Sequence, residues 1–218
     1  MKVMRDRNYI PKATIERLPL YYRCLDRLSI YEDIDVVSSK ELGGKLGIPS
    51  TQVRKDLSYY GEFGRRGVGY DVDSLKRSIA RILGVNKLWS AALVGAGNLG
   101  TALVNYGGFF SMGLKITNVF DIDLAKIGNK VGNISVQSMK EIKETAKSNN
   151  ISIGIVTVPA GEAQQVTEEL VEAGIRSIWN FTPTRLIVPE GVIVRNEDLS
   201  VGIASLIYHL SWEKEKDQ

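Results

Sequence analysis

The chain has 218 residues, 44% hydrophobic and 24% charged, which is enough for two compact units. It contains no uncharged apolar run of about 18 residues, and its start, Met1-Lys2-Val3-Met4-Arg5-Asp6-Arg7, lacks the apolar stretch of a signal peptide; neither membrane spanning nor export is expected, and the expected location is cytoplasmic. One cysteine, Cys24, excludes an internal disulfide framework and a cysteine-based zinc site, and one histidine, His209, leaves too little for a histidine-rich site, so no metal is expected.

The net charge of +3 is unevenly spread. Residues 1–84 hold 16 Lys+Arg against 11 Asp+Glu, a net of +5, whereas residues 85–218 hold 12 against 14, a net of −2. The basic first third points towards nucleic-acid contact by that part of the chain.

From Thr14, the apolar positions Ile15, Leu18, Tyr22, Leu25 and Leu28 recur at helical spacing and predict a first helix, near whose beginning Pro19 should fall. Ser38-Ser39-Lys40-Glu41 is a capping box, with Ser38 bonding the backbone at Glu41 and Glu41 reaching back; Leu42 and Leu46 follow on one face of a short second helix. Gly47-Ile48-Pro49 then turns the chain, and Ser50 or Thr51 should cap a third helix through Gln52, Val53, Leu57 and Tyr60. That is a helix-turn-helix. Gly61-Glu62-Phe63-Gly64-Arg65-Arg66-Gly67-Val68-Gly69-Tyr70 sets Arg65 and Arg66 among four glycines, the pattern of a β-ribbon wing. Asp73 is expected to cap a fourth helix that carries Leu75, Ile79, Ile82 and Leu83 and closes at Gly84, which places a winged-helix domain at residues 1–84.

From Trp89 the pattern changes to short apolar runs: Ala91–Val94, Ile116–Phe120, Ile151–Val158, Ser177–Phe181 and Val192–Val194. Helices are expected between them near Leu99–Phe110, Ser138–Ala146 and Ala163–Ala173, the second opened by the box Ser138-Met139-Lys140-Glu141. The alternation predicts an α/β fold with a doubly wound parallel sheet. A last helix carries Leu199, Ile203, Leu206, Ile207 and Leu210 on one stripe and ends in a charged tail, Trp212–Gln218.

Gly95-Ala96-Gly97-Asn98-Leu99-Gly100 matches the dinucleotide fingerprint directly after a predicted strand and at the opening of a helix. The first glycine permits the tight turn, the second lets backbone amides approach a pyrophosphate, and the third allows close packing of helix on strand. Asp121, 26 positions after Gly95, ends the next strand, where a carboxylate can accept bonds from the adenosine ribose hydroxyls and repel a 2′-phosphate. NAD(H) is therefore preferred over NADP(H), with a doubly wound domain that binds coenzyme A as the alternative. Hydride chemistry needs a positioned acid or base, yet Thr157-Val158-Pro159-Ala160-Gly161 and Asn180-Phe181-Thr182-Pro183 at other strand ends supply shape, hydroxyls and an amide but no proton carrier. A binding site without turnover fits better. An apolar pocket around the ring would favour uncharged NADH over cationic NAD+, because burying an unpaired charge is costly.

In the first domain, Ser50, Gln52, Arg54, Lys55 and Ser58 lie towards the start of helix three, where side chains reach base edges or phosphates in a major groove; Arg65 and Arg66 on the ribbon would reach an adjacent minor groove. The rival reading is a small NAD-dependent oxidoreductase whose basic N-terminal module serves oligomerisation.

The run Gln52-Val53-Arg54-Lys55-Asp56-Leu57-Ser58-Tyr59, followed by Gly67-Val68-Gly69-Tyr70 and then Val94-Gly95-Ala96-Gly97-Asn98-Leu99-Gly100, resembles the bacterial redox-sensing repressor family Rex. Phe120-Asp121-Ile122-Asp123 with Lys126-Ile127-Gly128, Thr157-Val158-Pro159, and Asn180-Phe181-Thr182-Pro183 resemble further motifs of that family in the same order. The resemblance implies a homodimer with a winged-helix domain at 1–84, a Rossmann NAD(H)-binding domain at 85–196 and a C-terminal dimerisation helix at 197–218, swapped between subunits. It implies that the protein binds double-stranded palindromic operator DNA, that NADH releases it and that NAD+ competes and permits binding, with no catalysis. It further implies cofactor contacts from Gly95 to Gly100, from Asp121, Ile122, Asp123, Lys126 and Tyr106, and from Thr157, Val158, Pro159, Asn180 and Phe181. Arg23 resembles an arginine that pairs with the partner's aspartate, Asp198, in the DNA-competent state, and Tyr106 the tyrosine that takes that aspartate over when NADH binds. Leu199 stands where some relatives carry a phenylalanine that packs on the nicotinamide.

Overall fold

The structure is a computed structural model and describes residues 10–65 and 67–216, with the side chains of 213–216 excepted; Arg66 lies outside the described residues. The chain divides into two compact units, residues 1–87 and 88–218. No helix among the described residues is long and apolar enough to cross a membrane.

In the first unit, α1 (Lys12–Tyr31) buries Thr14, Leu18, Tyr21, Cys24, Leu25 and Leu28. The stripe differs from the expected one in that Tyr21 is enclosed and Ile15 is largely exposed. Pro19 also sits in the helix interior and not at its beginning, because the helix starts at Lys12. After β1 (Val36–Val37), the Ser38–Glu41 capping box opens α2 (Ser39–Leu46), which ends on left-handed Gly47. The third helix, α3 (Ser50–Ser58), has Pro49 at its cap position and no side-chain cap, so neither Ser50 nor Thr51 caps it. β2 (Gly64–Arg65) and β3 (Gly69–Asp71) form the wing, with strand order β1-β3-β2 and both pairings antiparallel. α4 (Val72–Leu83) follows β3 without a loop; Asp71 rather than Asp73 therefore caps it, accepting the Ser74 N–H at 2.7 Å. Leu18, Tyr21, Leu25, Leu28, Val53, Leu57, Leu75 and Ile79 meet in one core beneath these helices.

The second unit runs β4 (Trp89–Val94), α5 (Asn98–Val104), β5 (Leu114–Asp121), β6 (Lys130–Val131), β7 (Ile134–Ser138), α6 (Ile142–Ser148), β8 (Ile151–Val156), α7 (Ala163–Glu172), β9 (Ser177–Asn180), β10 (Ile193–Asn196) and α8 (Leu199–Lys216). The sheet order is β10-β9-β8-β4-β5-β7-β6, parallel except for the β6–β7 hairpin. Both faces are covered: Ala92, Val94 and Val156 pack with Ile142, Val166 and Leu170, whereas Ala91, Leu93 and Ile155 pack on the face that Leu103 and Phe109 cover. The helix expected over Leu99–Phe110 breaks after Val104 and resumes as a 3₁₀ segment at Gly107–Met112, because Gly107-Gly108 is a poor helix former. The winding reverses between β4 and β8, and in a doubly wound sheet the ligand crevice opens at the carboxyl ends of the strands flanking that reversal. The fingerprint follows one of them and Thr157 the other.

Candidate functional site

Gly95 leaves β4 with φ of 103°, which only glycine adopts without strain, and an added Cβ there would lie 2.7 Å from the Thr157 carbonyl oxygen. Its N–H is held by the Phe120 carbonyl at 2.8 Å. Gly100 is pressed still more closely, with a Cβ there falling on the Gly95 carbonyl oxygen and within 3.0 Å of Leu93 Cδ2 and Thr157 Oγ1. Nothing lies within 4 Å of a Cβ added at Gly97, so the second glycine faces open space on the crevice side. The backbone N–H groups of the first turn of α5, from Asn98 through Leu99 to Gly100, have no partners within the helix and are available to an anion.

Asp121 ends β5 and is 6% exposed. Its Oδ2 accepts the Ala96 N–H at 2.8 Å and Lys126 Nζ at 3.1 Å, and Oδ1 accepts the Asp123 N–H at 2.9 Å. Burial pushes this carboxyl up, but the bonds from Asp123, Lys126 and Ala96 prevail and hold it below the usual range. The acid therefore pins the glycine loop to the second strand, a tie that the spacing alone did not disclose. Ile122 is 60% exposed beside it, an apolar surface at the strand end.

The Thr157 hydroxyl lies 2.9 Å from the carbonyl oxygens of both Val94 and Gly95, and its N–H donates to Val94. Val158 reaches towards Gly95, while Pro159 accepts the Glu162 N–H just before α7. Asn180 is fully buried; its Nδ2 donates to the Thr184 carbonyl and Asn196 Oδ1, and its Oδ1 accepts from the backbone and hydroxyl of Thr182. These bonds make its side chain a brace for the Asn180–Thr184 loop. Phe181 lies tilted against Trp179, which meets Phe109 edge to face, which in turn meets Tyr106 edge to face, so a chain of aromatic contacts runs from the last parallel strands to a tyrosine that is 59% exposed.

In the first unit, Arg54, Lys55 and Ser58 are exposed on α3, Ser50 and Gln52 are half-buried, and Arg65 is exposed on β2; Ser58 is the last residue of α3 and not near its start, because the helix stops there and does not run on to Tyr60. Arg54 Nη1 donates to Ser39 Oγ at 2.9 Å, the Ser58 hydroxyl donates to the Lys55 carbonyl at 2.7 Å, and Gln52 Nε2 donates to Asp56 Oδ1 at 2.7 Å. Asp56, to which motif and spacing assign no role, is fully buried. The signal was present, since a carboxylate three positions after Val53 and beside Leu57 occupies the core stripe and must be paired there.

Arg23 is exposed on α1 at the rim of a groove of about 350 Å³ lined by Leu20, Cys24, Arg27, Glu32, Lys45 and Leu46. Asp198, in the other unit, precedes α8, and its Oδ1 accepts the Ser200 N–H and hydroxyl at 2.8 and 2.6 Å. Every described side chain of α8 from Leu199 to Trp212 is exposed. Among the described residues no group of three or more His, Cys, Asp or Glu could hold a metal ion.

Residues 86–184 match the family model described as a CoA binding domain, and residues 9–58 match one described as a putative DNA-binding protein N-terminus. The chain is 49% identical over 200 residues to a redox-sensing transcriptional repressor Rex of Streptomyces griseus, covering 92% of this chain and 79% of that one. It is 48% identical over 201 residues to the Rex of Carboxydothermus hydrogenoformans, covering 92% and 96%. Among solved structures it superposes on RSP in complex with β-NAD+ and operator DNA with a TM-score of 0.89, 38% identity and 95% of each chain covered. RSP in complex with β-NADH gives a TM-score of 0.86 and 36% identity, covering 96% of this chain and 98% of that one.

Proposed function

The chain belongs to the Rex family of redox-sensing transcriptional repressors, and from that premise we propose that it holds a palindromic operator duplex and releases it when NADH enters the crevice, with NAD+ competing for the same site and permitting DNA binding. The observation that carries this reading is the union, on one chain, of a helix-turn-helix and wing bearing Arg54, Lys55 and Arg65 with a dinucleotide crevice at the reversal of a parallel sheet. A regulatory and not a catalytic role is supported by the relatives' identity as repressors, and by strand-end loops whose Thr157, Asn180 and Thr182 are bonded into the scaffold. The cytoplasm, where operator DNA lies, is the location that fits.

In this reading the N–H groups from Gly97 to Gly100 take the pyrophosphate, Asp121 the ribose, Ile122 a face of the adenine, and Thr157, Val158 and Phe181 the nicotinamide end. Ser50, Gln52, Arg54, Lys55 and Ser58 enter the major groove, and Arg65 and Arg66 the minor groove. The protein acts as a homodimer with α8 swapped; in support, Leu199, Ile203, Leu206, Ile207 and Leu210 are between 54% and 72% exposed, an apolar surface that a second copy would cover. Arg23 pairs with the partner's Asp198 in the DNA-competent state, and Tyr106 takes that carboxylate when NADH binds.

The two units should fail separately. Arg54→Ala is expected to weaken operator binding about tenfold or more in a mobility shift while the NADH fluorescence titration is unchanged. Asp121→Ala, which removes a ribose acceptor and frees the Ala96 N–H, should weaken NADH binding about 10–100-fold and leave cofactor-free operator binding intact. Loss of both activities in either variant, with a native melting curve, would refute this division.

A further inference from the structure

The Asp56 carboxylate accepts five hydrogen bonds: from Thr14 Oγ1 at 3.0 Å, Arg17 Nε and Nη2 at 2.6 and 2.8 Å, Tyr21 Oη at 2.7 Å and Gln52 Nε2 at 2.7 Å. Four of these come from α1 and the fifth from one turn earlier on α3 itself. Well-packed apolar side chains could stabilise a buried contact equally well, so what the ionic cluster adds is fixed geometry. An ionised carboxylate is acceptor-only, so Gln52 must turn its NH₂ towards Asp56; the opposite flip would set two oxygens against each other. Gln52 is thereby left with Oε1 and one N–H, and among the described residues neither has another partner.

An acceptor beside a donor is the complement of the adenine edge in the major groove, where N6 donates and N7 accepts; guanine offers two acceptors there and repels Oε1. Resting on the operator-binding reading above, we propose that Asp56 is a positioning residue for base recognition, locking the Gln52 amide in the flip that reads adenine. Gln52 then supplies discrimination at one base pair, and the remaining major-groove side chains act elsewhere in the half-site.

The test uses the full-length protein without NADH and fluorescence anisotropy on operator duplexes in which each half-site base pair is replaced in turn. The native protein should prefer adenine at one position by about 10–100-fold, and Gln52→Ala should reduce that preference to within about threefold. Asp56→Asn can donate to Oε1 and so releases the flip; it should lose the same preference while keeping those at other positions and the same salt dependence. The native protein should also lose affinity when that adenine is replaced by 7-deazaadenine, which lacks the N7 acceptor, whereas Gln52→Ala should not. The proposal is overturned if folded Asp56→Asn keeps the preference that Gln52→Ala loses, if Gln52→Ala loses none, or if native affinity ignores the 7-deaza substitution. The last of these decides the matter even if Asp56→Asn fails to fold. Failure of the native protein to bind any duplex would instead contradict the repressor reading.

Discussion

Gly100→Ala is expected to weaken NADH binding about 100-fold and lower the melting temperature of the second unit, while Gly97→Ala should weaken NADH binding comparably at an unchanged melting temperature. The contrast follows from where each Cβ would go. At Gly100 it falls on the Gly95 carbonyl, and the neighbouring backbone has no room to retreat, because the Gly95 N–H is held by Phe120 and the Thr157 hydroxyl closes over the Gly95 oxygen. The loop must shift as a body, carrying its amide groups away from a bound pyrophosphate. At Gly97 the added methyl meets no protein atom and obstructs only a ligand. Differential scanning calorimetry with NADH titration separates the two outcomes; a Gly97→Ala protein with native affinity would place the pyrophosphate elsewhere.

Asp56→Ala should lower the melting temperature of the first unit by roughly 15–20 °C at neutral pH. Removing one partner of a buried ion pair costs about 3–5 kcal/mol, and each kcal/mol moves a unit of this size by about 4–8 °C; partial exposure of Arg17 puts the cost at the low end. Burial raises the Asp56 carboxyl, but the bonds from Arg17, Tyr21, Gln52 and Thr14 outweigh it and bring it down to about 2. A carboxylate whose folded pKa is depressed contributes stability above its unfolded value near 3.8, and the contribution is lost as pH falls towards 2. It amounts to about 2 kcal/mol at neutral pH. Melts followed by circular dichroism should therefore show native stability falling between pH 4 and pH 2 more steeply than that of Asp56→Ala. Identical melting temperatures at pH 7 would contradict this account of the cluster.

What the sequence disclosed and what it hid have physical causes. The helix-turn-helix was legible because Ser38, Glu41 and Gly47 act through local backbone chemistry, and the capping box and left-handed turn form where that chemistry requires. The parallel strands were legible because sheets covered on both faces need continuous apolar runs. The β6–β7 hairpin was not, since Lys130–Ser138 is short and polar with weak alternation. The α4 cap fell on Asp71 rather than Asp73 because two nearby aspartates offer the same local chemistry and only the β3 junction decides between them. Tyr21 and Tyr22 posed the same ambiguity, which the Asp56 partner resolves in favour of Tyr21. Within the site, the glycines and Asp121 were visible from spacing, whereas the clasp of Asp121 on Ala96 and the bracing role of Asn180 depend on contacts distant in sequence.

The switch itself demands a sizeable linkage, since moving a two-state equilibrium from 1:99 to 99:1 takes about 5.5 kcal/mol of differential binding. The most direct test titrates operator binding against the proportion of reduced to oxidised coenzyme at constant total concentration, by anisotropy of a labelled palindromic duplex. Bound duplex should decline steadily as the NADH share rises and recover when NAD+ displaces it. Equally tight binding across the whole titration, with both coenzymes shown to occupy the crevice, would contradict the central claim.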